Sequence, residues 1–242
     1  MRIRYVNPVG SEAVDAHFAR QLAGAGGPDA EVEVVHARAG ADADGPFLPP
    51  AVSSHGAMLE ALAAAEADGC DAAVIGCSGD PALLEARRAL RIPVAAPLDA
   101  ALHVTAQLHQ RVAILVADGF EAHVLYRDLA RCYGLDHLVS EIVTVPMDYP
   151  QTHGGADSDA ETMAVIDRHR DVLDGAALEL ARGALERGAG VVYAGCTFWT
   201  GAMLRPFAEA LGAPVLDPAR GAVALAAAAV RAQASLPAAV AA

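Results

Sequence analysis

Basic residues are scarce in this 242-residue chain: 17 stand against 30 acidic ones, a formal net charge of −13. A surface of that sign repels phosphates and anionic headgroups, which argues against a nucleic-acid or membrane-surface partner. No apolar run approaches the roughly 18 residues of a bilayer span, and the nearest, Gly221 to Val230, is too short. The start, Met1-Arg2-Ile3-Arg4-Tyr5-Val6, shows neither a long apolar stretch nor a small-residue cleavage site. No two of the four cysteines (Cys70, Cys77, Cys132, Cys196) sit at C-x-x-C spacing. Without an export signal, a cytoplasmic setting without disulfides is the expectation. The nine histidines form no H-E-x-x-H and no Cys/His cluster, so no metal site is expected. Dinucleotide and phosphate loops are absent too: Gly24-Ala25-Gly26-Gly27 and Gly188-Ala189-Gly190 lack the third glycine in register. Gly76-Cys77-Ser78-Gly79 falls short of a serine-hydrolase elbow, because Asp80 occupies the second glycine position.

What is present is apolar content, 54% against 19% charged, mostly Ala, Val and Leu with 5% aromatics. That excludes a disordered chain and supplies a real core. Short strand-like runs (Ile3–Val6, Glu31–His36, Asp71–Gly76, Val112–Val116, Ser140–Val145, Val191–Ala194) alternate with Ala/Leu helical stretches. Among these are Ser11–Leu22, Ser54–Asp68, Pro81–Leu90, Ala122–Tyr133, Ala160–Arg187 as one helix or two, and Arg220–Ala234. This alternation predicts an α/β protein with parallel sheets flanked by helices.

An internal repeat refines the expectation. Gly69-Cys70-Asp71-Ala72-Ala73-Val74-Ile75-Gly76-Cys77-Ser78 matches Gly188-Ala189-Gly190-Val191-Val192-Tyr193-Ala194-Gly195-Cys196-Thr197. Downstream, Ile92-Pro93-Val94-Ala95-Ala96-Pro97 parallels Ala213-Pro214-Val215-Leu216-Asp217-Pro218. Cys77 and Cys196 lie 119 residues apart, near half the chain. Two similar lobes related by a pseudo-twofold axis follow: 1–97 and 98–219, with 220–242 either closing the second or returning to the first.

Each of these cysteines ends an apolar parallel strand, where open α/β sheets bind ligands. Asp80 suits an N-cap and Pro81 a first helical position, which would set Cys77 ahead of a helix N-terminus; Thr197 or Thr200 would cap the counterpart after Cys196. Two thiols facing one cleft suit stereochemical inversion: one removes a proton from carbon and the other delivers a proton to the opposite face. A carbon acid alpha to a carbonyl demands no metal or organic cofactor for this. Cys70 and Cys132 have no matched partner and read as packing residues.

These residues resemble the aspartate/glutamate racemase superfamily, and within it the hydantoin racemase-like branch. The resemblance spans nearly the whole chain. It is carried by Val6-Asn7-Pro8, Gly45-Pro46, Gly76-Cys77-Ser78-Gly79-Asp80-Pro81, Ile92-Pro93-Val94, Gly195-Cys196-Thr197 and Ala213-Pro214-Val215-Leu216-Asp217-Pro218. It implies a cofactor-independent, homo-oligomeric racemase or epimerase of hydantoins, amino acids or related small carbonyl compounds. Cys77 and Cys196 would be its acid and base. Ser78 stands where the branch usually carries an aromatic, Thr197-Phe198-Trp199 where it has small residues, and Phe47-Leu48-Pro49-Pro50 in an altered loop after Gly-Pro.

Asn7, Ser78, Gly79, Thr197, Phe47 and Trp199 are the candidate substrate-binding residues. Asn7 offers an amide at the first strand end, and Ser78 and Thr197 offer hydrogen bonds to a developing enolate. Asp80 and Asp217 read as helix caps or as bases. Ser11, Ser53 and Ser54 read mainly as caps, and His103 as a surface or core histidine. Two rival readings use the same fold: a maleate-type cis-trans isomerase or arylmalonate-type decarboxylase working with one cysteine, and a non-enzymatic binder of small anions.

Overall fold

The computed structural model describes residues 1–8, 10–37, 55–116, 120–146 and 156–235. The first half runs β1 (Arg2–Asn7), α1 (Glu12–Leu22), β2 (Glu31–His36), α2 (His55–Ala67), β3 (Ala72–Ile75), α3 (Leu83–Ala89) and β4 (Val94–Ala95), and α4 (Pro97–Gln107) leads out of it. The second runs β5 (Val112–Val116), α5 (Phe120–Cys132), β6 (Val139–Thr144), α6 (Ala156–Val172), α7 (Leu178–Glu186), β7 (Val191–Ala194), α8 (Leu204–Leu211) and β8 (Val215–Leu216), then α9 (Pro218–Ala234). The strands form two parallel four-stranded sheets, ordered β2-β1-β3-β4 and β6-β5-β7-β8. The order is the same in both, so the sequence repeat is a structural repeat.

The central strands are the apolar ones. β3, β5 and β7 are buried along their whole length, as is β1 beyond Arg2, while β2 and β6 lie at the edges and stay half-covered. Helices cover both faces, as buried parallel sheets require. Small side chains let α9 lie close on the first sheet: Ala219, Ala222, Val223, Ala226 and Ala227 pack with Ile3, Tyr5, Val14 and Phe18. On α4, Ala100 packs into this first core, whereas Leu98, Ala101 and Leu102 pack with Ile114 and Tyr193 of the second sheet. α4 thus joins the two sheets through adjacent residues. The long helical stretch is two helices, broken at Gly175, where φ −111° and ψ −105° leave the helical region.

Strand ends at Gly76 and Gly195 extend the ladders by one bond each. Gly76 N–H donates to the Val6 carbonyl at 2.7 Å and Gly195 N–H to the Leu115 carbonyl at 2.8 Å. Neither position has room for a side chain. A Cβ on Gly76 would meet Tyr5 Cε1 at 2.6 Å and the Val6 carbonyl at 2.8 Å, and one on Gly195 would meet the Leu115 carbonyl at 2.3 Å. The obstruction at Gly195 is backbone, which cannot rotate away. Gly195→Ala is therefore expected to destabilise the fold by about 1–3 kcal/mol through overpacking. Urea unfolding checks this, and an unchanged midpoint contradicts it.

Candidate active site

In both sheets the strand order reverses beside the first strand, β1 or β5. Such a switch point opens a crevice at the carboxyl ends of the strands. In the first sheet that crevice lies between the ends of β1 and β3, and these ends carry Asn7 and Gly76-Cys77. In the second it lies beyond β5 and β7, where Gly195-Cys196 follow. Cys77 is half-buried against Val6, Met58, Leu62 and Ile75, whereas Cys196 is buried in the second core.

Neither cysteine stands at a helix N-terminus, contrary to the expectation from Asp80-Pro81 and the two threonines. Cys77 enters a turn closed by Asp80 N–H on its own carbonyl at 3.0 Å. α3 begins only at Leu83, behind a left-handed Ala82 that gives no side-chain cap. The Cys196 carbonyl likewise accepts from Trp199 N–H at 2.9 Å, and a 3-10 turn (Gly201–Met203) separates it from α8. Asp80 itself has a positive φ of 45°, incompatible with the extended N-cap expected of it.

The two cysteine loops meet. Thr197 Oγ donates to the Gly76 carbonyl at 3.3 Å, joining the residue after one cysteine to the residue before the other. Phe198 reaches into the first core and packs on Phe18 with ring centroids 5.3 Å apart, and Phe18 in turn packs on Tyr5 at 5.5 Å. Trp199 turns the other way and is wholly buried in the second core beside His169. It supports the Cys196 loop from inside, with no exposed surface to offer as a pocket wall.

Three phenols surround this junction. Tyr5, Tyr126 and Tyr193 are buried, and burial is the main cause pushing their pKa values well up. Charge on Cys77 and on Cys196 adds to the shift at Tyr5, and again at Tyr126, so both sulfurs act on the same two phenols, one from each half. Tyr126 OH donates to the Gly195 carbonyl at 2.7 Å. Tyr5 OH, Tyr193 OH and Ser78 Oγ are buried with no hydrogen-bond partner among the described residues. Ser78 lies close enough to Tyr126 and Tyr193 to offset part of their shift, yet completes a well-formed bond with neither.

Carboxylates staple both loops, from opposite sides. In the first half Asp80 sits on the loop and reaches past α3 to the start of α4, accepting from Leu98 N–H at 3.0 Å and Asp99 N–H at 2.8 Å. In the second, Asp217 caps its own helix α9 through Arg220 N–H at 2.9 Å. It also reaches back to the loop, accepting from Thr200 OH and Gly201 N–H, both at 2.7 Å. Asp80 does cap a helix, then, but α4 rather than the one that follows it in sequence. Tyr133 OH, in the turn just after α5, completes its shell at 2.9 Å.

Asn7 is buried, with its amide N–H on Asp15 Oδ1 at 3.0 Å, and Asp15 Oδ2 is 2.6 Å from His36 Nδ1. Ser11 is the N-cap of α1 through Val14 N–H. Gly79 is buried in the turn after Cys77. His103 is half-exposed on α4, with Nδ1 on the Asp99 carbonyl. Phe47, Ser53 and Ser54 lie outside the described residues. Among the described residues no cluster of three or more His, Cys, Asp or Glu is arranged to hold a metal. Sequence reasoning passed over the phenols and the Asp15–His36 pair. The available signal was a tyrosine interrupting an otherwise aliphatic strand, at Tyr5 and Tyr193.

The family model described as Asp/Glu/Hydantoin racemase matches residues 3–226. The chain belongs to that family. A hydantoin racemase from Pseudomonas sp. (strain NS671) is 26% identical over 221 residues, covering 90% of this chain and 81% of that protein. An allantoin racemase from Klebsiella pneumoniae superposes with a TM-score of 0.73 at 23% identity, covering 96% of this chain and 89% of the other. One from Pseudomonas fluorescens gives 0.79 at 18% identity, covering 96% and 92%. Membership in this racemase family identifies the chain as an isomerase, and the two four-stranded parallel sheets are the fold of these relatives.

Asp80 gives the site a pH dependence. Burial, opposed by the two backbone N–H donors and Tyr133, pushes its carboxyl up to about 7 from 3.8. A carboxyl raised on folding binds more protons in the native than in the unfolded state between those two values. Its contribution to stability therefore falls as pH rises across that window. The neutral amide in Asp80→Asn cannot titrate. The stability advantage of wild type over Asp80→Asn should be larger at pH 5 than at pH 8 in urea titrations; a constant difference sinks the assignment.

Proposed function

We propose that the protein inverts the configuration of an acidic carbon alpha to a carbonyl, with Cys77 and Cys196 as paired base and acid, on a hydantoin or related cyclic ureide. One observation carries this reading. The strand-end cysteines of the two repeats belong to loops that the Thr197–Gly76 hydrogen bond joins across the two halves. The substrate class follows from the hydantoin and allantoin racemases among the relatives.

In one direction the thiolate of one cysteine takes the proton from the stereocentre. The C–H electron pair moves into the adjacent carbonyl and gives a planar enolate. The thiol of the other cysteine then protonates the opposite face, leaving the two sulfurs with exchanged protonation states. The reverse direction, or proton exchange with water, resets them. The hydroxyl of Ser78, without a partner among the described residues and next in sequence to Cys77, is the donor this reading assigns to the enolate oxygen. Thr197 contributes differently, since its hydroxyl is engaged in holding Gly76. The chain contains no lysine, the residue on which pyridoxal-dependent racemases form their imine, so within this chain the proton transfer falls to other groups.

Racemisation of a 5-substituted hydantoin in heavy water, followed by polarimetry and mass spectrometry, tests the reading. Inversion should bring one deuterium into the product, and Cys77→Ser and Cys196→Ser should each slow it by about 10²–10⁴-fold, the usual worth of a positioned acid or base. Full activity in either variant removes the two-thiol mechanism. Release of carbon dioxide from an arylmalonate, with one of the two cysteines dispensable, would favour the single-cysteine lyase.

A further inference from the structure

We propose that Asp15 fixes the amide of Asn7 so that its carbonyl oxygen faces the Cys77 loop, and that this oxygen selects substrates bearing an N–H on the carbon that is inverted. The inference rests on the functional reading above and narrows its substrate class.

The orientation of the Asn7 amide follows from hydrogen-bond chemistry. A carboxylate oxygen only accepts, so the group 3.0 Å from Asp15 Oδ1 is the amide nitrogen, and the carbonyl oxygen points away from Asp15. Asp15 has no freedom to turn, because its other oxygen is held 2.6 Å from His36 Nδ1. Strand pairing sets the frame: Asn7 and His36 are register partners at the carboxyl ends of β1 and β2, and α1 brings Asp15 over both. Gly10 lets the chain cross this pair, since a Cβ there would come within 3.1 Å of His36 Cβ.

Asn7 Oδ1 lies 2.9 Å from the position a Cβ would take on Gly76, the residue just before Cys77. Among the described residues no hydrogen-bond donor reaches this oxygen. It is a fixed acceptor on the floor of the crevice, beside the base or acid that handles the stereocentre. A hydantoin carries an N–H on that carbon and can donate to Oδ1. A ring oxygen in the same place would set lone pair against lone pair. Buried polar sites built to take an N–H reject analogues lacking it, because the acceptor is then left unpaired.

The probe is a 5-substituted oxazolidine-2,4-dione, which replaces that N–H by oxygen and keeps the ring size and the acidic carbon. The readout is the ratio of kcat/KM for the hydantoin to kcat/KM for the oxazolidinedione. Differences in intrinsic acidity cancel when this ratio is compared between enzyme forms. Wild type is expected to prefer the hydantoin strongly. Asp15→Asn frees the Asn7 amide to present its NH2 group and should shrink the ratio at least about 10-fold, the equivalent of a single hydrogen bond. Asn7→Ala, which removes the acceptor, should shrink it as well and serves if Asp15→Asn does not fold. A purely structural role for Asp15 would depress both substrates equally and leave the ratio unchanged, and that outcome in both variants overturns the proposal while leaving racemisation intact. If wild type racemises neither compound, the functional reading itself fails, and this inference with it.

Discussion

The site depends on a single seam, where the loop after β7 enters the first half of the molecule. Thr197 provides a directional hydrogen bond to Gly76 and Phe198 an apolar wedge against Phe18. The two act together. The wedge buries apolar surface and sets how far the loop penetrates, whereas the hydroxyl ties it to the strand end that carries Cys77. Trp199, buried on the other side, keeps the same loop rooted in its own core. Of three consecutive side chains, Thr197 thus meets a backbone carbonyl, Phe198 packs against both cores and Trp199 lies in the home core. This is the physical role of the bulky Thr-Phe-Trp run after Cys196.

The swapped carboxylates show how a repeat can keep an interaction while changing its residues. Ala96 is the counterpart of Asp217, and Trp199 the counterpart of Asp80. Each half has one acid that bonds a cysteine loop to the start of a later helix, α4 or α9, but the acid sits on the loop in one and at the helix start in the other. Asp80 is buried and its carboxyl is raised, with Asp99 as a secondary like-charge cause. Asp99 is in turn neutralised by Arg87, 2.6 Å away. Tyr133 adds a bond from the second half to Asp80, so the charge of this group bears on the seam as well as on its own loop.

The sequence made the sheets, the repeat and the two strand-end cysteines legible because all three are written in local patterns. Apolar runs four to six residues long, led by glycine and ended by Gly-Cys, are strands whatever surrounds them. Ser11 and Asp217 cap α1 and α9 as the sequence suggests, but the helix starts after the two cysteines differ from expectation for another reason. Asp80-Pro81 carries the local signature of a helix start, but the positive φ at Asp80 and Ala82 delays α3 to Leu83, and the carboxylate is drawn to the more distant N–H groups of α4. A local signature does not reveal competition from a partner 18 residues away. The Asn7–Asp15–His36 chain was illegible for the same cause, since its members come from three elements and share no spacing. Among the expected binding residues, Trp199 was placed by proximity in sequence to Cys196, yet adjacent residues on a turn point in different directions, and its indole belongs to the core.

The pseudo-symmetry implied by the repeat does not extend to the chemistry of the two faces. Cys77 is half-buried and is followed by a serine whose hydroxyl has no partner among the described residues, whereas Cys196 is buried and is followed by a threonine already bonded to Gly76. A racemase has no thermodynamic need for matched faces, because its equilibrium lies midway between enantiomers for any catalyst. Under the two-thiol reading proposed above, what the asymmetry alters is the surroundings in which each thiol works, one half-buried beside a turn and one enclosed by the second core. The two directions are then expected to differ in KM, with kcat differing in proportion, because the shared equilibrium ties the two ratios together.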